Sequence, residues 1–225
     1  MREVSVFAGG NAGHVRIGSG PIAADNVLPE VCDLLLAEAP ATTIDIRVAP
    51  SVELREQLRD GAIDLLIGMM PEDDAAFVTH PIMEDVVVVA ARSDHPVFAH
   101  KRLDMKALLQ WRWVLPGDNV ASRQWLDAAF RSRGLPAPTV QLNVNSIPLL
   151  PRLIARTELL SFVSRHNLEA GGHYGALREV PLKETTFERY LGVTYRREGY
   201  LSPAAQRLLR LLRSQVPKMF SRPVG

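Results

Sequence analysis

The sequence predicts an α/β fold made of two modules, and two observations carry this prediction. Short apolar segments typical of buried strands alternate with amphipathic segments typical of helices, which is the order that builds parallel sheets. The same alternation begins again after residue 92. We therefore expect one module over residues 14–92 and a second over 93–189, with residues 190–217 returning to the first and residues 1–13 forming a tail. If the chain passes between the two modules twice, the modules should enclose a cleft, and clefts between domains are favoured ligand sites.

The first module begins with a predicted buried strand at Val15–Gly18. A break at Gly20-Pro21 starts an apolar-faced helix through Leu36, and Ala39-Pro40 ends it. Helix starts that follow strand ends offer unpaired N–H groups at the edge of the sheet where ligands bind. We therefore expect Ser19, Gly20, Pro21 and Ile22 to form one wall of a small-molecule pocket.

The remaining elements of the first module follow from periodicity and breakers. Thr42–Ala49 alternates apolar and polar residues, which predicts a strand with one polar face. Ser51 is a plausible N-cap for a helix over Val52–Arg59, and Ile63–Gly68 is typical of a parallel strand covered on both faces. Two further strands are predicted at Phe77–Met83 and Asp85–Arg92.

The second module and residues 190–217 contain weaker patterns of the same kind, which predict further helices and strands. Asn119 or Ser122 could cap a helix, Ser146 could cap another, and Ser202-Pro203 is a helix start with proline at the first helical position. A short helix is predicted at Leu103–Gln110. Strands are predicted at Trp113–Pro116, Val140–Val144, Leu159–Val163, Leu177–Val180 and Tyr190–Tyr195.

Composition excludes several function classes. The 26 basic and 25 acidic residues nearly balance. A nucleic-acid-binding domain needs clusters of basic residues without neighbouring acidic ones, so this class of protein is not indicated. The single cysteine, Cys32, rules out an internal disulfide and is expected to be a small buried hydrophobe. The acidic loop Glu72–Asp74 is expected to be a solvated loop rather than a metal site. We expect neither a metal nor a cofactor.

The sequence contains no secretory signal at its start and no apolar run of the ~18 residues that a membrane span needs. A cytoplasmic protein without membrane contact is therefore expected. No nucleophile elbow, phosphate loop or zinc-protease motif occurs, and the histidines have structural or surface interpretations. An enzyme is accordingly not expected.

Small polar residues recur where predicted strands end or helices begin. They are Ser19, Gly20, Ser51, Asn119, Ser122, Asn145, Ser146 and Ser164. For any one of them, helix capping and ligand contact are equally good explanations. Their recurrence in both modules favours ligand binding.

In its order of motifs, the chain resembles the effector-binding domain of LysR-type transcriptional regulators over about residues 13–216. The resemblance rests on Gly13–Gly18, Leu28-Pro29, Pro40, Leu58–Gly68, His95-Pro96 and Trp113–Pro116 with Arg123. It implies a type-2 periplasmic-binding-protein fold, with an effector between two Rossmann-like subdomains. It also implies a winged helix-turn-helix, for which this sequence has no room, so DNA binding is expected to belong to a missing N-terminal part.

By position, the resemblance assigns effector contacts to residues of both subdomains. They are Ser19, Gly20, Pro21, Ile22, Ser51, Met69, Asn119, Asn145, Ser146 and Val163. The chain differs from many members in having Pro21-Ile22 at the first helix start and Thr157-Glu158 before the strand at Leu159.

Sugars and small organic acids are among the effectors of the branch that it resembles. Arg123 is either an anion contact or an ion-paired residue. The resemblance further implies a homodimer or tetramer, with Val27–Leu36 and Val120–Phe130 packing on a partner. A transport-type solute-binding protein of the same fold is the alternative function, and the coding sequence upstream of residue 1 would separate the two.

Overall fold

The computed structural model describes residues 12–70, 74–169 and 175–220. The chain divides into two compact units: unit 1 comprises the residues up to Glu84 and those from Tyr190 onward, and unit 2 is Asp85–Arg189. Two long strands, β4 and β9, each continue from one unit into the other. The strand elements are β1 (Ala12–Ser19), β2 (Ala41–Val48), β3 (Leu65–Met69), β4 (Phe77–Arg92), β5 (Arg112–Leu115), β6 (Val140–Asn143), β7 (Leu159–Ser164), β8 (Leu177–Glu179) and β9 (Thr186–Arg196).

The helices alternate with these strands as the α/β prediction requires, so the predicted fold class is confirmed. They are α1 (Pro21–Asn26), α2 (Leu28–Glu38), α3 (Ser51–Arg59), α4 (Ala121–Arg131), α5 (Leu150–Ile154), α6 (Arg165–Glu169), α7 (Pro203–Ser214) and α8 (Val216–Phe220). Short 3-10 helices occur at Pro96–Ala99, Ala107–Gln110, Ile147–Leu149 and Lys183–Thr185. In the part of the chain that the structure describes, every helix is too short or too polar to cross a bilayer.

In unit 1 the strand order is β2-β1-β3-β9. Strand β1 pairs in parallel with β2 and β3, while β3 pairs antiparallel with β9. The larger core of the unit contains Ile17 of β1, Ile67 of β3, Val31 of α2 and Leu208 of α7. A smaller cluster of Leu54, Leu58, Ile63, Leu66 and Phe77 fixes α3 on the other face.

Unit 2 has the order β4-β7-β5-β6, and β8 pairs with β4. Strands β5, β6 and β7 run parallel, so their carboxyl ends lie at one edge. A separate core centred on Trp113, Phe130, Leu126 and Leu160 holds this unit together. Each unit therefore has its own buried core.

Several local predictions were wrong. Phe77–Met83 and Asp85–Arg92 form one strand, because Pro81 and Glu84 interrupt the apolar pattern without breaking the pairing. Ser51 is the first residue inside α3, and the capping position is Pro50. Likewise, neither Asn119 nor Ser122 caps α4, which begins after Val120.

The predicted strand over Thr42–Ala49 is present as β2, but Ile46 and Val48 on its apolar face are solvent-exposed. Strand β2 ends the strand order of unit 1, so only one neighbour shields it. Alternation of apolar and polar residues was present, but an edge strand does not bury its apolar face automatically. The Ser202 cap was predicted correctly, since its hydroxyl accepts a hydrogen bond from the Ala205 N–H at 3.2 Å.

Candidate functional site

The carboxyl ends of β1 and β3 and the start of α3 converge in unit 1. The Gly20 N–H donates to the Ile67 carbonyl at 2.9 Å, which joins the loop after β1 to the end of β3. The Ala49 N–H donates to the Ser19 carbonyl at 3.2 Å and brings the loop before α3 to the same place. Three chain segments distant in sequence thus meet at one edge of the sheet.

Two buried glycines, Gly20 and Gly68, lie at this meeting point. A Cβ built on Gly68 would lie 3.6 Å from the Gly20 nitrogen and 3.9 Å from the Ser51 Oγ, and a Cβ built on Gly20 would lie 3.7 Å from the Gly68 Cα. These are ordinary contact distances, so a small side chain would fit at either position. We call Gly20, Ser51 and Gly68, with the space that they border, the glycine niche.

The niche offers hydrogen-bonding groups without charge. The Ser51 hydroxyl has no hydrogen-bond partner among the described residues, although it is partly buried. The first N–H groups of α3 also lack partners within the helix, where the first intrahelical bond is donated by Leu54 to the Pro50 carbonyl at 3.2 Å. The positive end of the α3 helix dipole lies at the same end of the helix as these N–H groups. This arrangement suits hydroxyl, carbonyl or carboxylate oxygens of a ligand.

The other residues of unit 1 that were predicted to contact an effector differ in what their side chains do. Ser19 is fully buried, and its hydroxyl donates to the Gly20 carbonyl at 3.1 Å. Pro21 occupies the first position of α1, while Ile22 packs on the larger core. Met69 also packs on that core, so its side chain stabilises the unit.

In unit 2 the predicted residues follow the carboxyl ends of parallel strands. Asn119 follows β5, and Asn145 and Ser146 follow β6, all three with exposed side chains. Ser146 precedes the Ile147–Leu149 turn without capping it by its hydroxyl. Val163 differs from them, because it is buried within β7 and paired with Val88.

Arg123 is an ion-paired residue in this structure. Its Nε donates to the Asp127 Oδ2 at 2.8 Å, one helical turn further along α4, and both side chains are largely buried. This ion pair uses the Nε of the guanidinium, so an anion contact by Arg123 would have to use its Nη groups. Cys32 is half-buried against the larger core of unit 1, which raises the pKa of its thiol.

Unit 2 also has a surface pocket of about 500 Å³ that contains none of the predicted contacts. It lies beside the amino ends of β5 and β7, at the edge opposite Asn119 and Asn145. Its lining consists of Gln110, Trp111, Arg112, Gln141, Leu142, Thr157, Glu158 and Leu159. Within the described residues, no group of three or more acidic, histidine or cysteine side chains could hold a metal ion. Two members of the predicted acidic loop, Glu72 and Asp73, lie outside the described residues, and Asp74 forms an ion pair with Arg59.

Sequence reasoning did not include Gly68 among the candidate contacts. Gly68 was interpreted as the end of a buried strand, although its position directly after the apolar run that ends at Ile67 is where ligands bind in α/β sheets.

The LysR substrate binding domain family matches residues 8–217 of the chain. Among curated proteins, the chain is 31% identical over 216 residues to the HTH-type transcriptional regulator GalR of Pseudomonas putida, covering 95% of this chain and 54% of that protein. It is 26% identical to the HTH-type transcriptional regulator GbpR of Azospirillum brasilense, covering 94% of this chain and 63% of that protein. The chain thus spans between half and two thirds of the length of these relatives.

Solved structures show the same fold. The regulatory domain of CcmR from Synechocystis PCC6803, in complex with 2-PG, has a TM-score of 0.79 at 21% identity, covering 92% of this chain and 99% of that one. The effector binding domain of QuiR, in complex with shikimate, has a TM-score of 0.76 at 16% identity, covering 93% of this chain and all of that one.

Proposed function

Because the chain belongs to the LysR substrate binding domain family, we propose that it is the effector-sensing part of a DNA-binding transcriptional regulator. It binds a small molecule and performs no reaction on it. Binding shifts the protein between two states by the difference in affinity of the effector for them. The curated relatives are transcriptional regulators by name, and two structural neighbours hold small molecules.

The glycine niche is the observation that carries this proposal. It places an unpartnered hydroxyl and unpaired helix N–H groups beside the backbone of Gly20 and Gly68, neither of which carries a side chain. Binding groups without an adjacent acid, base or nucleophile suit recognition rather than catalysis.

The proposed effector contacts form two groups, each at the carboxyl edge of the parallel strands in its own unit. Unit 1 supplies Ser19, Gly20, Pro21, Ile22, Ser51 and Met69, and unit 2 supplies Asn119, Asn145, Ser146 and Val163. In unit 1, Gly20 and Ser51 contribute binding groups, whereas Ser19, Ile22 and Met69 shape the wall behind them. The effector is a sugar or a small organic acid.

The whole protein is proposed to act as a homodimer or tetramer in the bacterial cytoplasm and to contact DNA through a helix-turn-helix domain. Solvent-exposed apolar side chains support a dimer surface on unit 1: Leu36 lies on α2, and Ile46 and Val48 lie on β2. Residues Val27–Leu36 and Val120–Phe130 are the proposed packing segments. A transport-type solute-binding protein is not favoured, since the relatives are regulators.

A melting-temperature screen tests the proposal. A compound at ~100 times its dissociation constant should add about 2.7 kcal/mol of stability, a shift of several degrees for units of this size. The panel contains hexoses, sugar acids, and aliphatic and aromatic carboxylates. Ser51→Trp should remove the shift without lowering the melting temperature of the unliganded protein. Ser214→Trp, at the exposed end of α7, is the matched control. Equal ligand shifts in both variants would overturn the proposed site.

A further inference from the structure

Three large apolar side chains stand exposed at the edge of unit 1 that carries the glycine niche. Val52 is 76% exposed, Met70 40% and Tyr190 52%. We call these three residues the apolar rim. Val52 follows Ser51 in α3, and Met70 comes two residues after Gly68, so the rim continues directly from the niche.

The strand register places Met70 and Tyr190 side by side. Met69 pairs with Leu191 across β3 and β9, and the Met70 N–H donates to the Tyr190 carbonyl at 3.1 Å. Side chains alternate along a strand. Met69 and Leu191 face the larger core, so Met70 and Tyr190 belong to the opposite face.

Gly68 and Gly192 are paired on that same face. The Cγ of Met70 lies 3.0 Å from where a Cβ on Gly192 would be, so the methionine side chain covers Gly192. Gly68 is buried as well, and its nearest neighbours are the backbone of Gly20 and the Ser51 hydroxyl. The floor that Gly68 forms in the niche thus lies on the same face of the sheet as a thioether and an aromatic ring.

The segments around this floor carry no charged side chain. Residues 19–22, 50–52 and 68–70 contain only small, apolar or hydroxyl side chains, plus proline and glycine. Two described charged residues that adjoin these segments or Tyr190 are engaged elsewhere: Glu53 accepts a hydrogen bond from the Gln57 side chain at 3.1 Å, and Arg189 is paired with Asp85.

On the basis of the proposed function, we infer that the effector presents the face of an aromatic ring to Met70 and Tyr190, while its oxygen substituents face the glycine niche. A ring of this kind gains from burying apolar area and from contact with a thioether and a second ring. A free sugar would instead leave hydroxyl groups against the Met70 and Val52 side chains.

Ring-current shifts of methionine methyl groups test the inference directly. The protein is labelled with ¹³C at the methyl groups of its six methionines and titrated with benzoate, 4-hydroxybenzoate, 3,4-dihydroxybenzoate, cinnamate and indole-3-carboxylate. At least one of these should shift the Met70 methyl signal saturably upfield. The Met105 methyl, buried in unit 2, should not move and is the internal reference.

Tyrosine variants supply the second readout. Tyr190→Ala should weaken binding of the responding aromatic acid at least fivefold, and Tyr190→Phe should retain it. Tyr200→Ala is the matched control, since Tyr200 is an exposed tyrosine of unit 1 away from the niche, and it should leave affinity unchanged.

A parallel titration uses D-glucose, D-galactose, D-gluconate and D-glucuronate. If one of these binds, and Ser51→Trp removes that binding while none of the aromatic acids binds, the inference is overturned and the proposed function stands. If an aromatic acid binds without shifting the Met70 methyl, or binds equally well to Tyr190→Ala, the inference is also overturned.

Discussion

Asp85 and Arg189, the first and last residues of unit 2, form an ion pair buried within that unit. Their side chains are 0% and 5% exposed, and the Arg189 Nε donates to the Asp85 Oδ2 at 2.6 Å. The second carboxylate oxygen accepts a hydrogen bond from the Ser164 hydroxyl at 2.5 Å. The pair joins β4 to β9 where both strands enter unit 2, and Ser164 adds the end of β7 to the network.

Asp85→Ala should destabilise the protein by about 3–5 kcal/mol, because it leaves the Arg189 charge buried without a partner. Urea unfolding monitored by the fluorescence of the three tryptophans, all in unit 2, measures this loss. Asp94→Ala is the control: Asp94 pairs with Arg92 at 3.1 Å but is mostly exposed, so its loss should cost no more than about 1 kcal/mol. Similar losses in the two variants would contradict the assigned role of the buried pair.

Stability should fall as the pH decreases through about 6.5, the ordinary histidine value. Burial lowers the pKa of His95 in the folded protein, and its Nδ1 accepts a hydrogen bond from the Val97 N–H at 3.0 Å, which only a neutral ring can do. The unfolded chain therefore binds more protons below that pH. Urea titrations at pH 7.5 and 5.5 measure the loss, and His95→Asn should reduce it. Burial also lowers the pKa of His80, so part of the dependence should remain in that variant.

Ser202→Ala should cost about 1 kcal/mol, because the Ser202 hydroxyl caps α7. Ser51→Ala should be nearly neutral in stability, since the Ser51 hydroxyl caps nothing. Thermal unfolding of the two variants in the absence of ligand distinguishes these cases. A stability loss in Ser51→Ala equal to that in Ser202→Ala would show that the Ser51 hydroxyl is structural and would weaken its assignment to the niche.

Gly18→Ala should destabilise unit 1 by about 1–3 kcal/mol through overpacking. Its Cβ would lie 2.4 Å from the Ile63 Cδ1 and 2.9 Å from the Leu54 Cδ2, inside the smaller core cluster. Gly68→Ala should cost less than Gly18→Ala although Gly68 is also buried, because its Cβ would lie 3.6 Å from the Gly20 nitrogen and 3.9 Å from the Ser51 Oγ, which are ordinary contact distances. Circular dichroism melts of both variants test the contrast, and a comparable loss in Gly68→Ala would mean that the niche is closed.

The alternation of apolar segments was sufficient to predict the fold class and most elements, because hydrophobic periodicity follows directly from burial. Ser202 was predicted correctly for a local reason: proline at the next position and the apolar stripe beyond it both indicate a helix start. Ser51 is also a serine before a predicted helix, but it is the first residue inside α3, because Pro50 occupies the N-cap position. Residue type alone could not separate these two serines.

The site was predictable only in part. Gly20 and Ser51 follow from strand ends and helix starts, which are local signals. The approach of Gly68 to both, and of Tyr190 to Met70, depends on the parallel pairing of β1 with β3 and the antiparallel pairing of β3 with β9. Register of this kind is set by contacts between segments far apart in the chain, and it leaves no pattern within any single segment.

The scaffold does not need glycine at positions 20 and 68, since a methyl group at either position meets its neighbours at ordinary distances. Under the proposed function, mutations there would alter what the protein detects while the amount of folded protein stays the same. Selection for stability would then constrain these two codons little, and selection on the signal would act on them. A regulator built in this way would acquire a new effector in one or two mutational steps without first accumulating compensating substitutions elsewhere.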